Sequence, residues 1–595
     1  MKLHIEVPLV ALAFCAGARA QVTQRVSVNS SGAQGNQDSG APANAISADG
    51  RYVAFAGDAS NLVPGDTNNT TDVFVRDRQL GTTERVSLTP GGGQASGDRP
   101  AISSDGRFVA FESLAAVVPG DTNGLRDVYV RDRVNGTTER VSVDSAGGEA
   151  NGASFRDSIS GDGRYVAFTS EADNLVLGDV NGLFDVFLHD RWTGATEILN
   201  RDASGTAGNG YSFSGSVSGD GRYLSFVSSS TNLVPGDSNQ ANDVFVRDRL
   251  TNAVERVSAG LYVFPGWSDT VWDPPAITPD GRFVAFEWRG MDFSVFRIFL
   301  HDRQSGTTDI VSLGSMGQEA DLDSGSPSLS ADGRFVAFWS DAQNLDPNDT
   351  GWDSDVYVRD RLLGTTTMVS VGPDGVEGDG GSGYFWLDSL AISADGRFVA
   401  FASWASNLVP GDTNGRGDVF VRDREGAPAF TSLCDPGTSG VIACPCANPP
   451  GGPGQGCNNS SGTGGASLSA YGGTYLSSDS LVFTTTGERP TALSIVTQWT
   501  ASNPTGVIFG QGVRCTSGTL KRLYTKQASG GSITAPDFGT GDLQVSVRSA
   551  ALGDVIQAGQ SRWHFVYYRD PNVLGGCPPT STFNCTQTGM VTWAP

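Results

Sequence analysis

The sequence predicts an all-β chain: a seven-bladed β-propeller of four-stranded blades closed by the N-terminal strand, followed by a small disulfide-containing β-sandwich-like domain. Three observations predict it. The phrase Ser-x-Asp-Gly-Arg-aromatic recurs seven times, marked by Asp49, Asp105, Asp162, Asp220, Asp280, Asp332 and Asp395 (Thr278-Pro279 opens the fifth copy). Strands within each copy carry apolar side chains on both faces. A lone fourth-strand sequence, Thr23–Val28, precedes the first copy, while the seventh loses its own at Gly426-Ala427-Pro428.

Each copy reads as four short strands, as the first one shows. Ala43–Ser47 is the first strand, and Asp49-Gly50 turns the chain because glycine tolerates positive φ. Arg51–Gly57 is the second strand, Asp72–Arg78 the third and Thr83–Leu88 the fourth, entered through a turn at Leu80-Gly81. Val73 and Val75 face one side of the third strand and Phe74 the other, so the strand needs cover on both sides. Radially stacked blades give that cover. The Thr23–Val28 segment then completes the seventh blade and hides its edge.

Composition limits what such a chain binds. It has 595 residues, 78 of them glycine, with 17% charged residues and a net charge of -24. That charge repels phosphate backbones and anionic lipid, so nucleic acid is not an expected partner. Met1–Ala20 reads as a signal peptide, with Lys2, an apolar stretch over Val7–Ala18 and a cleavage site near Ala20. The stretch is too short to span a bilayer and no later one is longer, so no membrane span is expected. The expected address is secreted or cell envelope, in the periplasm or at the outer surface.

The remaining chain divides into a propeller over 21–430, a Cys/Gly/Pro-rich linker over 431–460 and a C-terminal β domain over 461–595. Strands are expected there at Leu481–Thr486, Ala492–Trp499, Gln544–Val547 and His564–Tyr568. All cysteines after Cys15 lie in this part: Cys434, Cys444, Cys446, Cys457, Cys515, Cys577 and Cys585. Cys444-Pro-Cys446 has no histidine nearby, which favours disulfides over zinc, and an odd count leaves one thiol over.

The phrases Ser-x-Asp-Gly-Arg-Phe-Val-Ala-Phe and Asp-Val-Phe-Val-Arg-Asp-Arg resemble those of the TolB-type, WD-repeat-like β-propeller family of bacterial exported proteins, from about Gln21 to Arg424. That resemblance implies the propeller fold. The C-terminal part is similar to a Cys/Gly-rich terminal domain of planctomycete-type exported proteins, and surface attachment or adhesion is its expected role.

Candidate sites fall on the face with the long loops, which join the second strand to the third and one blade to the next. Two insertions are rich in aromatics suited to stacking on a sugar ring or gripping a peptide: Tyr262, Phe264, Trp267 and Trp272, then Tyr384, Phe385 and Trp386, with Trp352 beside them. The alternative is that these rings plug irregular blades. A second pattern places oxygen side chains at positions 1, 3 and 7 of a shortened calcium-type loop. It runs Asp66/Asn68/Asp72, Asp121/Asn123/Asp127, Asp179/Asn181/Asp185, Asp237/Asn239/Asp243 and Asp412/Asn414/Asp418, with Asp349 and Asp355 in the sixth copy. Turn-building by the same side chains is the competing reading. The Arg-Asp-Arg phrase is read as ion-pairing with neighbours such as Arg51 and Glu84, and His189 and His301 replace its first arginine.

No nucleophile elbow, zinc-protease motif, phosphate loop or dinucleotide fingerprint occurs. The expected function is therefore a non-enzymatic exported binding or scaffold protein, with a glycan or protein partner on the long-loop face. A hydrolase or lyase using acidic residues of that face is the alternative, and a calcium-stabilised structural surface protein a further one.

Overall fold

The computed structural model describes residues 22–40, 45–239, 241–261, 274–289, 295–372, 375–383, 390–424, 431–432, 436–437, 441–452, 455–471, 481–537, 542–557, 560–572 and 582–593. The chain divides into two compact units, Gln21–Arg424 and Glu425–Pro595.

The repeated phrase builds each blade residue by residue. Ser47 Oγ donates to Asp49 and accepts from the Tyr52 backbone N–H at 2.9 Å, while Asp49 accepts from the Arg51 N–H, so the turn is held from both sides. Arg51 makes a forked pair with Asp77 on the third strand, through Nε at 3.1 Å and Nη2 at 2.7 Å. Glycine is required at the turn for two reasons. Gly50 has φ +70°, and a Cβ there would lie 2.2 Å from the ring of Phe398 in the preceding blade. The same glycine-on-ring contact joins every neighbouring pair, ending with Gly396 on Phe335. Each ring is sandwiched: Arg51 and Arg133 lie 4.7 and 4.5 Å from the centroid of Tyr52. Arg133 belongs to the next blade and also donates to Glu84 at 2.7 Å, the ion pair the sequence suggested.

Seven four-stranded antiparallel sheets result. Blade 1 holds Ser39–Gly40, Tyr52–Gly57, Asp72–Asp77 and Thr82–Arg85; blade 2 holds Asp98–Ile102, Phe108–Ser113, Asp127–Asp132 and Thr137–Arg140. Blade 3 holds Ser154–Ile159, Tyr165–Ser170, Asp185–Asp190 and Ala195–Ile198; blade 4 holds Ser212–Val217, Tyr223–Ser228, Asp243–Asp248 and Ala253–Arg256. Blade 5 holds Ala276–Ile277, Phe283–Arg289, Phe296–Asp302 and Thr307–Ile310; blade 6 holds Ser324–Leu329, Phe335–Ser340, Asp355–Asp360 and Thr365–Met368. Blade 7 joins Leu390–Ile392, Phe398–Ser403 and Asp418–Asp423 to the N-terminal strand Val22–Arg25, in register from Val22↔Asp423 to Arg25↔Phe420. The first strand of blade 1 differs from its expected place. Pairing occurs at Ser39–Gly40 and at an isolated Ile46–Val53 bridge, and residues 41–44 lie outside the described ones.

Apolar contacts fill the spaces between blades, as expected for strands covered on both faces. Phe74, Val26 and Val419 share one buried cluster, and Val73, Phe111 and Tyr129 share another. The variable residue of the phrase closes a backbone ring. Ala48 N donates to Ser104 O at 3.0 Å, Ser104 to Gly161 at 3.0 Å, Gly161 to Gly219 at 3.1 Å and Gly219 to Pro279 at 3.0 Å. Ala331 then donates to Ala394 at 2.8 Å and Ala394 to Ala48 at 3.0 Å. The step from blade 5 to blade 6 has no donor because Pro279 lacks an N–H. Replacing Pro279 by alanine supplies one. The added bond, about 0.5–1.5 kcal/mol, is largely offset by the freer unfolded chain, about 0.4–1 kcal/mol. The expected result is an unchanged melting midpoint with strong exchange protection of the new amide at position 279. Fast exchange there would show that the ring does not close through this position.

The C-terminal unit stacks two sheets. The larger orders Thr431–Ser432, Gly589–Thr592, Ser561–Arg569, Leu493–Phe509 and Gly512–Gln527, with Phe583–Cys585 also on Ser561–Arg569. The smaller contains Ser467–Tyr471, Val482–Thr486 and Thr534–Ala535. Phe483, Val496, Leu523, Val566 and Trp593 are buried together in their shared core. The expected strand at Gln544–Val547 is instead the start of a helix, Val545–Ala551. Alternation of Val545 and Val547 suggested a strand, but the buried positions are Val545 and Ser549, one helical turn apart, and Val547 is exposed. Cys444 pairs with Cys457, Cys446 and Cys515 are also disulfide-bonded, and Cys585 is a buried free thiol. Among the described residues no helix is long and apolar enough to cross a membrane.

Candidate functional site

In each blade the second strand ends, and the first and third begin, on the long-loop face. Of the aromatics expected there, Tyr262, Phe264, Trp267, Trp272, Tyr384, Phe385 and Trp386 lie outside the described residues. Trp352 is described and is 86% exposed.

The Asp-x-Asn-x3-Asp loops have a common geometry. The asparagine amide donates to the last aspartate, as from Asn68 to Asp72 at 3.3 Å, Asn123 to Asp127 at 3.2 Å, Asn181 to Asp185 at 3.2 Å, Asn239 to Asp243 at 2.7 Å and Asn414 to Asp418 at 2.8 Å. Its carbonyl accepts from a backbone N–H two residues on, as from Leu125 at 2.7 Å, which shapes the turn. In four blades the cation held between the two aspartates is an arginine of the fourth strand. Arg85 Nη1 lies 3.2 Å from Asp66 and 3.0 Å from Asp72, and Arg140 Nη1 lies 3.6 Å from Asp121 and 3.4 Å from Asp127. Arg256 is 2.7 Å from Asp237 and 3.5 Å from Asp243, and Arg25 is 3.0 Å from Asp412 and 3.1 Å from Asp418. Burial pushes the carboxyls of Asp72, Asp127 and Asp243 up despite these partners. In blade 3 the fourth strand offers Ile198 instead, and Asp179 is pushed up to about 6 by burial and by the charge of Asp185.

A second grouping sits at the inner end of blades 2 to 4 on the same face, unnoticed in the sequence. Phe155 meets Phe184 edge-on at 5.6 Å, and Phe184 meets Tyr211 at 5.6 Å and Phe213 at 5.5 Å. The Arg156 guanidinium lies 5.1 Å from the centroid of Phe213. Tyr211 is 50% exposed, so one side of this aromatic group meets solvent. The innermost strand bulges here. Pairing shifts between Phe155 and Ser158, and Arg156 takes φ +54°, a conformation uncommon outside glycine. Arg99 makes the matching bulge in blade 2 with φ +48°.

Beside the rings lies a pair of carboxyls. Glu112 is 1% exposed and accepts from Arg126 Nη1 at 2.7 Å and from the Arg156 backbone N–H at 2.6 Å. Neither carboxylate oxygen of Asp157 touches solvent or has a hydrogen-bond partner. Burial raises both groups, the charge of Glu112 raises Asp157 further, and Arg99 offsets part of the effect in each. Chemically the place offers ring faces, the guanidinium groups of Arg99, Arg126 and Arg156, and a carboxyl whose burial favours its protonated form. The available sequence signal was Arg156-Asp157 in a strand whose counterparts read Ser214-Gly215 and Ser326-Pro327.

Because Asp157 is raised in the fold, its protonated form stabilises the protein below the unfolded value, about 3.9, and this contribution is lost as pH rises through the folded value. Asp157→Asn is therefore expected to raise the melting midpoint at pH 8 and leave it unchanged near pH 4. An equal shift at both pH values would contradict the assignment.

The histidines contribute no base here. His189 and His301 take the place of the first arginine of the phrase and bond Thr196 and Thr308 through Nδ1 at 2.9 and 2.8 Å. His564 is buried in the C-terminal unit, where desolvation pushes it down to about 3.

No family model matches the chain, and no curated protein matches it. Among solved structures, the TolB of Acinetobacter baumannii is 18% identical, with a TM-score of 0.31 over 50% of this chain and 58% of that one. This chain thus spans little more than half of that TolB's length. An oligogalacturonate lyase of Vibrio parahaemolyticus is 12% identical, with a TM-score of 0.43 over 68% of this chain and 97% of that one. The β-propeller domain of the Trilobed protease of Pyrococcus furiosus is 10% identical, with a TM-score of 0.40 over 65% and 95%.

Proposed function

We propose that this protein is an exported binding propeller that takes a glycan across the mouth of blades 2 to 4 on its long-loop face. The observation that carries the reading is the aromatic group of Phe184, Phe213 and the half-exposed Tyr211 next to Arg156. Ring faces beside hydroxyl-seeking polar groups are what a sugar requires, and a protein loop is the other partner such a surface suits. Export is supported by the signal-like Met1–Ala20 and the Cys444–Cys457 disulfide. Attachment to the cell surface falls to the C-terminal unit, and deleting 434–595 should then release the protein into the medium.

A glycan and peptide array with the full chain tests the reading. Tyr211→Ala and Phe184→Ala should each weaken the captured ligand, since stacked rings contribute about 0.5–1.5 kcal/mol beyond their buried area. Undiminished binding in both variants would remove this site. The alternative of a hydrolase or lyase draws on the Glu112–Asp157 pair, because two neighbouring carboxyls of different environment suit acid–base work. It predicts cleavage products from the bound glycan that vanish in Asp157→Asn.

A further inference from the structure

Arginines contact the carboxylates of the second-to-third loops in four blades, blade 3 has an arginine acting through its charge alone, and blade 6 has neither among the described residues. Blades 1, 2, 4 and 7 use Arg85, Arg140, Arg256 and Arg25. In blade 3 the charge of Arg201 acts on Asp185. Blade 5 lacks the Asp-x-Asn-x3-Asp pattern, and Arg297 on its third strand lies 3.0 Å from Glu319 of the loop after the blade. In blade 6 the residue opposite Tyr357 is Met368, where blade 2 sets Arg140 opposite Tyr129.

Blade 6 nevertheless keeps the whole acidic set. Asp349, Asp355 and Glu377 stand where blade 2 has Asp121, Asp127 and Glu149, and in each set one oxygen per residue lies within 4.8 Å of the others. Blade 6 even adds a buried carboxylate, Asp346, in place of Val118. Asp355 is 2% exposed, and the charges acting on it are those of Asp349, Glu377 and Asp353. Carboxylates this buried call for a positive partner.

Two separate features point to what that partner is. Asp349 Oδ1 is sealed from solvent and accepts no hydrogen bond, while its other oxygen accepts from the Tyr357 hydroxyl. The three equivalent groups of blade 2 do close on a cation, with Arg140 Nη1 at 2.6 Å from Glu149, 3.4 Å from Asp127 and 3.6 Å from Asp121.

We propose that blade 6 binds a hard divalent cation of the calcium type through Asp349, Asp355 and Glu377, in the role that Arg140 fills in blade 2. An all-carboxylate set selects such ions over copper or zinc. Calcium takes six to eight oxygens, and backbone carbonyls and water complete the shell. The ion ties two long loops together, since Glu377 comes from the loop after the blade and already accepts from Thr350 N and Oγ1 at 2.8 and 2.9 Å.

Terbium(III) luminescence and calorimetric titration with calcium chloride, both on the full chain stripped with chelator, test this. Trp352 lies in the same loop as Asp349 and Asp355 and serves as the sensitiser. The expected result is saturable terbium emission displaced by calcium, with affinity reduced about tenfold or more in Glu377→Gln as a ligand charge is removed. Met368→Arg supplies the guanidinium and should abolish binding, while its melting midpoint in chelator equals or exceeds that of the unaltered chain. Absence of saturable binding in the unaltered chain overturns the proposal, as does full affinity in a folded Met368→Arg. Should that variant fail to fold, full affinity in Glu377→Gln overturns it equally.

Discussion

Arg25→Ala is expected to destabilise the propeller by about 3–5 kcal/mol, the range for removing one partner of a buried ion pair. Arg25 stands on the strand that closes the ring, and its side chain lies between Asp412 and Asp418, whose side chains are 4% and 0% exposed. Without it two carboxylates remain inside the protein with no cation. Asp418 also accepts from Ser27 Oγ at 2.5 Å, so the defect falls on the contact that holds the closing strand. Urea titration of the full chain reads the loss, and the double variant Arg25→Ala/Asp412→Asn should recover part of it by removing one of the stranded charges. A midpoint within error of the unaltered protein would mean that closure does not depend on this pair.

The second large effect is expected from Gly163→Ala. A Cβ at this position would lie 2.1 Å from Cδ2 and 2.6 Å from Cγ of Phe108 in the preceding blade. The ring has no room to yield, because Arg107 and Arg191 lie 4.7 and 4.5 Å from its centroid. Overpacking contributes about 1–3 kcal/mol, and the left-handed backbone at φ +72° adds about 1–2 kcal/mol. Gly178→Ala is the matched control. Its φ is +84° and nothing lies within 4 Å of the added carbon, so it carries the backbone cost alone. Thermal melts of the two variants separate the contributions. Equal losses would show that the glycine is needed only for its turn and not for the fit between blades.

Much of the propeller was legible because its information is local and repeated. Gly50, Arg51 and Tyr52 announce a turn and a strand wherever the phrase occurs, and Thr23–Val28 is recognisable as a fourth strand without a copy. The pairing of Arg-Asp-Arg with Arg51 and Glu84 followed from repetition, since a feature present in every blade serves the blade. Val545 and Val547 misled for the converse reason: a short alternation is shared by strand and helix until burial shows that Val545 and Ser549 face inward. The aromatic group of Phe155, Phe184, Tyr211 and Phe213 left only the faint mark of Arg156-Asp157, because its members come from three separate segments.

The amino-acid order alone established seven blades, their strand limits to within a few residues and the manner of closure. These depend on two-residue alternation and turn chemistry, which each segment carries within itself. Only the packed structure decided that arginines fill four of the acidic loops, that Ile198 and Met368 leave the loops of blades 3 and 6 without a fourth-strand arginine, and which rings gather at blades 3 and 4. Those outcomes depend on distances between side chains on different strands and blades, and such distances exist only once the wedges are pressed together.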